Sequence, residues 1–187
     1  MEKKESRKKQ AQILRGFRKL HRMTGATLFI FFFIIATTGF LLGWKKNTGN
    51  LLGSQTYLGT TSELIEWLPL AELLDKAETV IKDSLLLEKP LQLDRIDVRK
   101  NKGSLKFIFD NYYGVQLDGA TGQLLHFDRR RADFIENVHD ASILDTYFGT
   151  DGYIKLAYTT IMSLALLLFT ITGFWLWYGP KRMRKTH

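Results

Sequence analysis

Residues 23–44, MTGATLFIFFFIIATTGFLLGW, contain no formally charged side chain. In a helix, at ~1.5 Å per residue, such a run crosses the ~30 Å hydrocarbon core of a bilayer. A second uncharged run, residues 156–180, LAYTTIMSLALLLFTITGFWLWYGP, is 25 residues long and equally rich in Leu, Ile, Phe, Thr and Gly. A core helix of a soluble 187-residue protein seldom runs so far without a charge, and two such runs define a two-span membrane protein. The whole-chain averages, 45% apolar, 25% charged and a mean hydropathy of −0.12, conceal this because the charges lie outside the two runs.

The placement of those charges predicts orientation. Residues 1–22 carry nine Lys or Arg against Glu2 and Glu5, residues 181–187 carry four basic residues, and residues 45–155 carry 14 basic and 17 acidic residues. Basic flanks stay on the cytoplasmic side, so both termini are expected inside and the middle of the chain outside, in a bacterial inner membrane. The pI near 9.6 is then a topological signal with affinity for membrane lipid, and no nucleic-acid partner is expected. The first run exceeds a signal-peptide core, and Gly43-Trp44-Lys45-Lys46 offers no small-x-small cleavage pattern, so it is expected to remain as an anchor. The absence of cysteine removes disulfides, thiol catalysis, iron–sulfur clusters and covalently attached haem.

Between the spans, residues 45–67 are rich in Gly, Thr, Ser and Asn and read as a linker that wraps the next unit. Leu70, Leu73, Leu74, Ala77, Val80, Ile81 and Leu85 fall at helical spacing after Pro69, predicting an amphipathic helix over 69–86. Alternating or apolar segments at 91–98, 105–109, 113–117 and 123–127 follow, separated by turn residues such as Asn101-Lys102-Gly103 and Asp118-Gly119-Ala120-Thr121-Gly122. The pattern predicts one helix and an antiparallel meander of about four strands.

The stretch Val115-Gln116-Leu117-Asp118-Gly119-Ala120-Thr121-Gly122-Gln123-Leu124-Leu125 resembles the end of a PepSY domain. Its context adds a first span introduced by His21-Arg22-Met23-Thr24-Gly25 and a second containing Thr170-Ile171-Thr172-Gly173-Phe174-Trp175. Together, from about residue 17 to 179, these resemble the PepSY-associated transmembrane family, which includes membrane proteins of iron uptake and ferric-siderophore reduction. The reductases of that family carry four spans in one chain, whereas this chain carries two.

The four histidines are His21, His126, His139 and His187. The resemblance implies that His21, at the inner end of the first span, and His139, before the second, are axial ligands of haem b iron. A competing reading makes both interfacial polar residues that anchor helix ends. The echo Thr37-Thr38-Gly39-Phe40 and Ile171-Thr172-Gly173-Phe174 places Gly39 on the side of His139 and Gly173 on the side of His21, because the helices run antiparallel. Gly25, Gly39 and Gly173 then give a flat porphyrin clearance, or equally, Gly39 and Gly43 form a small-xxx-small packing face. His21 and His139 lie at opposite membrane faces, so one chain cannot bring both to one iron. A homodimer pairs each with its symmetry mate in a four-helix bundle, with His187 or His126 as alternative second ligands.

Trp44, Trp175, Trp177 and Tyr178 read as interfacial belt residues, and Asp94, Asp97, Asp110 and Asp118 as exposed carboxylates that attract ferric complexes or merely solvate a face. The expected organisation is a basic segment (1–22), span (23–44), periplasmic linker and PepSY-like domain (45–134), interfacial segment (135–155), span (156–180) and cytoplasmic tail (181–187), a membrane α+β fold. The expected function is b-haem electron transfer from an unassigned donor to ferric iron or a ferric siderophore outside, as in a haem-dependent ferric reductase. The alternative, from a different class, is a non-enzymatic membrane protein whose PepSY-like domain binds a partner or modulates a peptidase.

Overall fold

A computed structural model describes residues 2–49, 51–85 and 89–185. The chain divides into a membrane unit, up to Phe40 and from Asn137 onward, and a sheet unit, Leu41–Glu136.

The membrane unit is built on α1 (Glu2–Trp44) and α5 (Tyr153–Lys185), the two helices long and apolar enough to span a bilayer. Each extends past its uncharged run. For α1 the reason is compositional, since residues 2–22 are dominated by Lys, Arg, Glu, Gln and Leu, which favour helix. The helices are antiparallel: Phe17 stacks on Trp175 with centroids 6.2 Å apart, while Phe31 meets Tyr158 edge-on at the other end. Phe29, Phe33, Leu164 and Leu167 are each 60% or more exposed, an outward apolar surface that a bilayer covers.

The expected interfacial segment is itself helical. Helices α3 (Arg131–His139) and α4 (Ser142–Phe148) flank Ala141, whose φ of +62° turns the chain between them. The buried Asp145 of α4 accepts hydrogen bonds from the Thr150 hydroxyl and from the amides of Ile154 and Lys155, at 2.5, 2.9 and 2.8 Å. Those amides belong to the first turn of α5, which has no intrahelical acceptors for them, so Asp145 caps the second span from outside it. Burial pushes its carboxyl up, but these bonds outweigh burial and hold it below the ordinary carboxylate range.

The sheet unit matches the predicted order. Helix α2 (Leu70–Ser84) precedes β1 (Leu93–Arg99), β2 (Ser104–Phe109), β3 (Tyr113–Asp118) and β4 (Leu124–Arg129), an antiparallel meander in sequential order. Leu73, Ala77 and Ile81, spaced by one turn on α2, bury against Leu105, Phe107, Phe109, Val115 and Leu117 on one sheet face. The other face carries Ser104, Lys106, Gln116 and Asp118, all buried although polar. Residues 54–61, the expected wrap, lie over it: Gly59 donates to the Lys102 carbonyl at 2.7 Å, and Gln116 donates to the Tyr57 carbonyl at 2.8 Å. Gly59 and Gly103 approach so closely that a Cβ on either would collide with backbone.

Candidate functional site

His21 faces Thr172, and His139 faces Thr38. The Nδ1 of His21 lies 2.9 Å from the Thr172 hydroxyl, and the Nδ1 of His139 lies 2.8 Å from that of Thr38. Each hydroxyl also reaches back along its own helix, Thr172 to the Leu168 carbonyl at 2.7 Å and Thr38 to the Ile34 carbonyl at 2.6 Å. A carbonyl only accepts, so the single hydroxyl hydrogen points at it, and the oxygen must accept from the imidazole. Nδ1 therefore carries hydrogen in both rings, and in the neutral tautomer the lone pair sits on Nε2. Among the described residues, neither Nε2 has a hydrogen-bond partner.

The glycines of the echo lie beside these rings. A Cβ on Gly173 would meet Cε1 of His21 at 3.4 Å, and one on Gly39 would meet Cε1 of His139 at 3.5 Å. Their bare faces receive the imidazole edge, and the expected side for each glycine holds. A Cβ on Gly25 would instead meet the Phe169 ring at 3.1 Å. Phe169 lies over His21 with ring centroids 3.8 Å apart, so Gly25 makes room for the ring that covers the imidazole. Gly25, Gly39 and Gly173, the glycines expected to clear space for a porphyrin, are thus each beside a ring of their own chain, whereas Gly43, the other glycine of the small-xxx-small pair, has open space around it.

A cleft of about 790 Å³ extends beside His139 and is walled by aromatic and aliphatic side chains, among them Phe29, Phe32, Met162, Leu166 and Phe169. This volume and lining suit a flat apolar ligand. Next to His139, the Asp140 carboxylate is 2.6 Å from Lys155 Nζ and accepts from the Ser142 amide at 3.0 Å. Burial pushes that carboxyl up, and the two partners more than offset it, leaving it below the ordinary range.

Counting 17 residues of α1 from His21 to Thr38 at ~1.5 Å each separates the two imidazoles by about 25 Å along the helix. One chain does not bring both to one metal atom. His126 sits on the sheet, 3.5 Å from Asp128 and against Tyr57, and His187 lies outside the described residues. Among the described residues no group of three or more His, Asp or Glu forms a metal cluster.

Two readings of the surface change. Asp118 is 4% exposed and accepts from the Thr60 amide and hydroxyl and from the amides of Ala120 and Thr121, so it is a structural carboxylate rather than a solvated one. Asp94 and Asp97 are engaged by Arg95 and Arg99. The sequence hides this for Asp118, whose cover comes from Thr60, whereas Arg95 and Arg99 stand on the same strand as Asp94 and Asp97. The role of Thr38 and Thr172 in orienting imidazoles was likewise hidden, its one signal being the repeated Thr-Gly pair in two spans of opposite direction.

No curated protein and no solved structure matches the chain. The family described as the PepSY-associated TM region matches residues 18–187, nearly the whole chain and both histidine–threonine pairs. Two membrane-crossing helices around a helix-and-meander unit agree with that match, and the chain belongs to the PepSY-associated transmembrane family.

Proposed function

We propose that the protein is a b-type haem electron-transfer protein of the bacterial inner membrane that delivers electrons to ferric iron or a ferric siderophore on the outer side. The observation that carries the proposal is the pair of threonine hydroxyls that hold His21 and His139 with hydrogen on Nδ1 and a bare Nε2, the arrangement a metal-ligating histidine needs. Haem held there supplies one-electron chemistry. His21 and His139 would hold its iron, Thr172 and Thr38 fix their orientation, and Phe169 restricts the His21 ring by stacking on it. The apolar cleft beside His139 excludes water from the ligand's faces.

With both termini cytoplasmic, His21 serves the inner side and His139 the outer. Because the two rings are about 25 Å apart along α1, a second imidazole for either iron comes from a second copy of the chain. The contact between copies then uses surfaces other than Gly39 and Gly173, which their own histidines cover.

The experiment is an absorption spectrum of detergent-solubilised protein from haem-replete cells. A low-spin haem spectrum is expected, with each of H21A and H139A losing part of it and the double variant losing all. Colourless wild-type protein, or full haem in the double variant, overturns the proposal.

A further inference from the structure

Away from the histidines, the sheet unit holds a cavity of about 410 Å³, within the ~300–1,000 Å³ range of small-molecule sites. Its lining includes five cations, Lys45, Lys46, Arg99, Lys106 and Arg130, and one carboxylate, Asp133. Much of that charge is paired. Asp133 holds Arg130 at 2.8 Å and Arg95 at 2.7 Å, and Asp97 lies 3.6 Å from Arg99.

Lys106 is different. It is 4% exposed, and among the described residues its ammonium donates hydrogen bonds to neutral oxygens: the Gln55 carbonyl at 2.8 Å, the Ser54 carbonyl at 3.3 Å and the Ser54 hydroxyl at 3.4 Å. Asp97, its ladder partner across β1 and β2, bonds the arginines instead, and Asp128 is engaged by Ser54 and His126. A buried charge whose neighbouring carboxylates are bonded to other groups is costly, and one facing further cations is more so. Burial, then Arg130 and Arg99, push the Lys106 ammonium below its ordinary value, and the opposing pull of the Asp128 and Asp97 carboxylates, which are bonded to other groups, does not make this up. Lys45 and Lys46 add two further positive charges, and neither forms an ion pair among the described residues.

We infer that this cavity binds an oxyanion, a phosphate or carboxylate group, whose negative charge completes the Lys106 site and is gathered by Lys45, Lys46 and Arg99. Two sources carry that chemistry. One is a soluble anion, for which the cavity is large enough to admit a polycarboxylate. The other is an anionic lipid headgroup, which is near because Lys45 directly follows the last residue of the membrane-crossing α1. The inference does not depend on haem.

The test uses the full chain in nanodiscs. Citrate and inorganic phosphate are titrated calorimetrically in phosphatidylcholine discs, and thermal melts compare phosphatidylcholine with phosphatidylglycerol discs. A soluble ligand gives saturable binding that the K45Q/K46Q variant weakens by roughly tenfold, the effect of losing one charge-assisted hydrogen bond. A lipid ligand gives a melting temperature that rises with phosphatidylglycerol in the wild type and not in that variant. Because K106M would disturb a buried site, Lys106 is followed in the wild type by acetylation and mass spectrometry, with Lys76, exposed on α2, as reference. Saturating anion should slow acetylation of Lys106 relative to Lys76. No binding of either probe and no lipid-dependent shift overturns the inference, as does binding unchanged in K45Q/K46Q with Lys106 unprotected.

Discussion

Thr172 accepts a hydrogen bond from Nδ1 of His21 at 2.9 Å because its own hydrogen is committed to the Leu168 carbonyl at 2.7 Å. The same relation, with partners exchanged between the helices, joins Thr38 to His139. Replacing either threonine by valine removes the acceptor and frees the tautomer while keeping the shape. If these histidines ligate iron, T172V and T38V should each weaken haem binding by roughly 10–100-fold, with serine restoring it. Haem titration of the apoprotein measures this, and unchanged affinity in both valine variants would contradict the role assigned to the hydroxyls.

Gly39 and Gly173 admit a methyl group, because a Cβ would stand at ordinary contact distance, 3.5 and 3.4 Å, from the imidazole edge, and a longer side chain would crowd the ring. Alanine at either position should leave haem content near that of the wild type, and leucine should reduce it sharply. Leucine at Gly43, which has open space, should change nothing at the histidines. Haem-to-protein ratios of the purified variants decide the matter.

A reporter active only in the cytoplasm should work when fused after Lys185 and fail when inserted near Gly103. The expectation rests on the basic flanks of both spans, which stay on the side of synthesis. An active reporter at Gly103 would invert the orientation and exchange the inner and outer histidines.

Asp118 links pH to the stability of the sheet unit. Burial pushes its carboxyl up, but four hydrogen bonds from Thr60, Ala120 and Thr121 overcome this and depress it below its unfolded value of ~3.9. The carboxylate therefore contributes its full stability above that unfolded value, and the contribution fades as pH falls through the lower folded value. D118N should lower the melting temperature at pH 7 and flatten its decline below pH ~4. A variant whose melting temperature runs parallel to the wild type across that range would refute the assignment.

Phe107 is fully buried between α2 and the sheet, so F107A should cost the sheet unit ~3–5 kcal/mol by the lost burial and the cavity left behind. Chemical denaturation followed by tryptophan fluorescence, with Trp67 packed against that core, is the measurement.

What the sequence discloses here is whatever local pattern encodes. The two spans stand out because a bilayer tolerates so few charges, and the meander stands out because Asn101-Lys102-Gly103 and Asp118-Gly119 break apolar alternation at the turns. The short helices α3 and α4 do not, since residues 131–148 mix charge and apolar side chains without a long face, and Ala141 hides a left-handed turn behind an unremarkable residue. Asp118 reads as solvated because its cover comes from Thr60, 58 positions earlier. The match of His21 to Gly173 was accessible only by counting inward from both span ends, and the intervening hydroxyl bond spans 151 positions.

Both histidine contacts are made to helices by side chains that define axial position, and α1 supplies one member to each: His21 at its middle and Thr38 near its C-terminal end. Sliding α1 by one turn, ~5.4 Å, would unseat both bonds together, and no single displacement could keep one while releasing the other. The helix is thus latched at two levels, so a piston-like displacement of α1 has to break both bonds at once. A deletion of one turn between His21 and Thr38 should act as a shortened ruler: whichever latch re-forms, the opposite one must be lost.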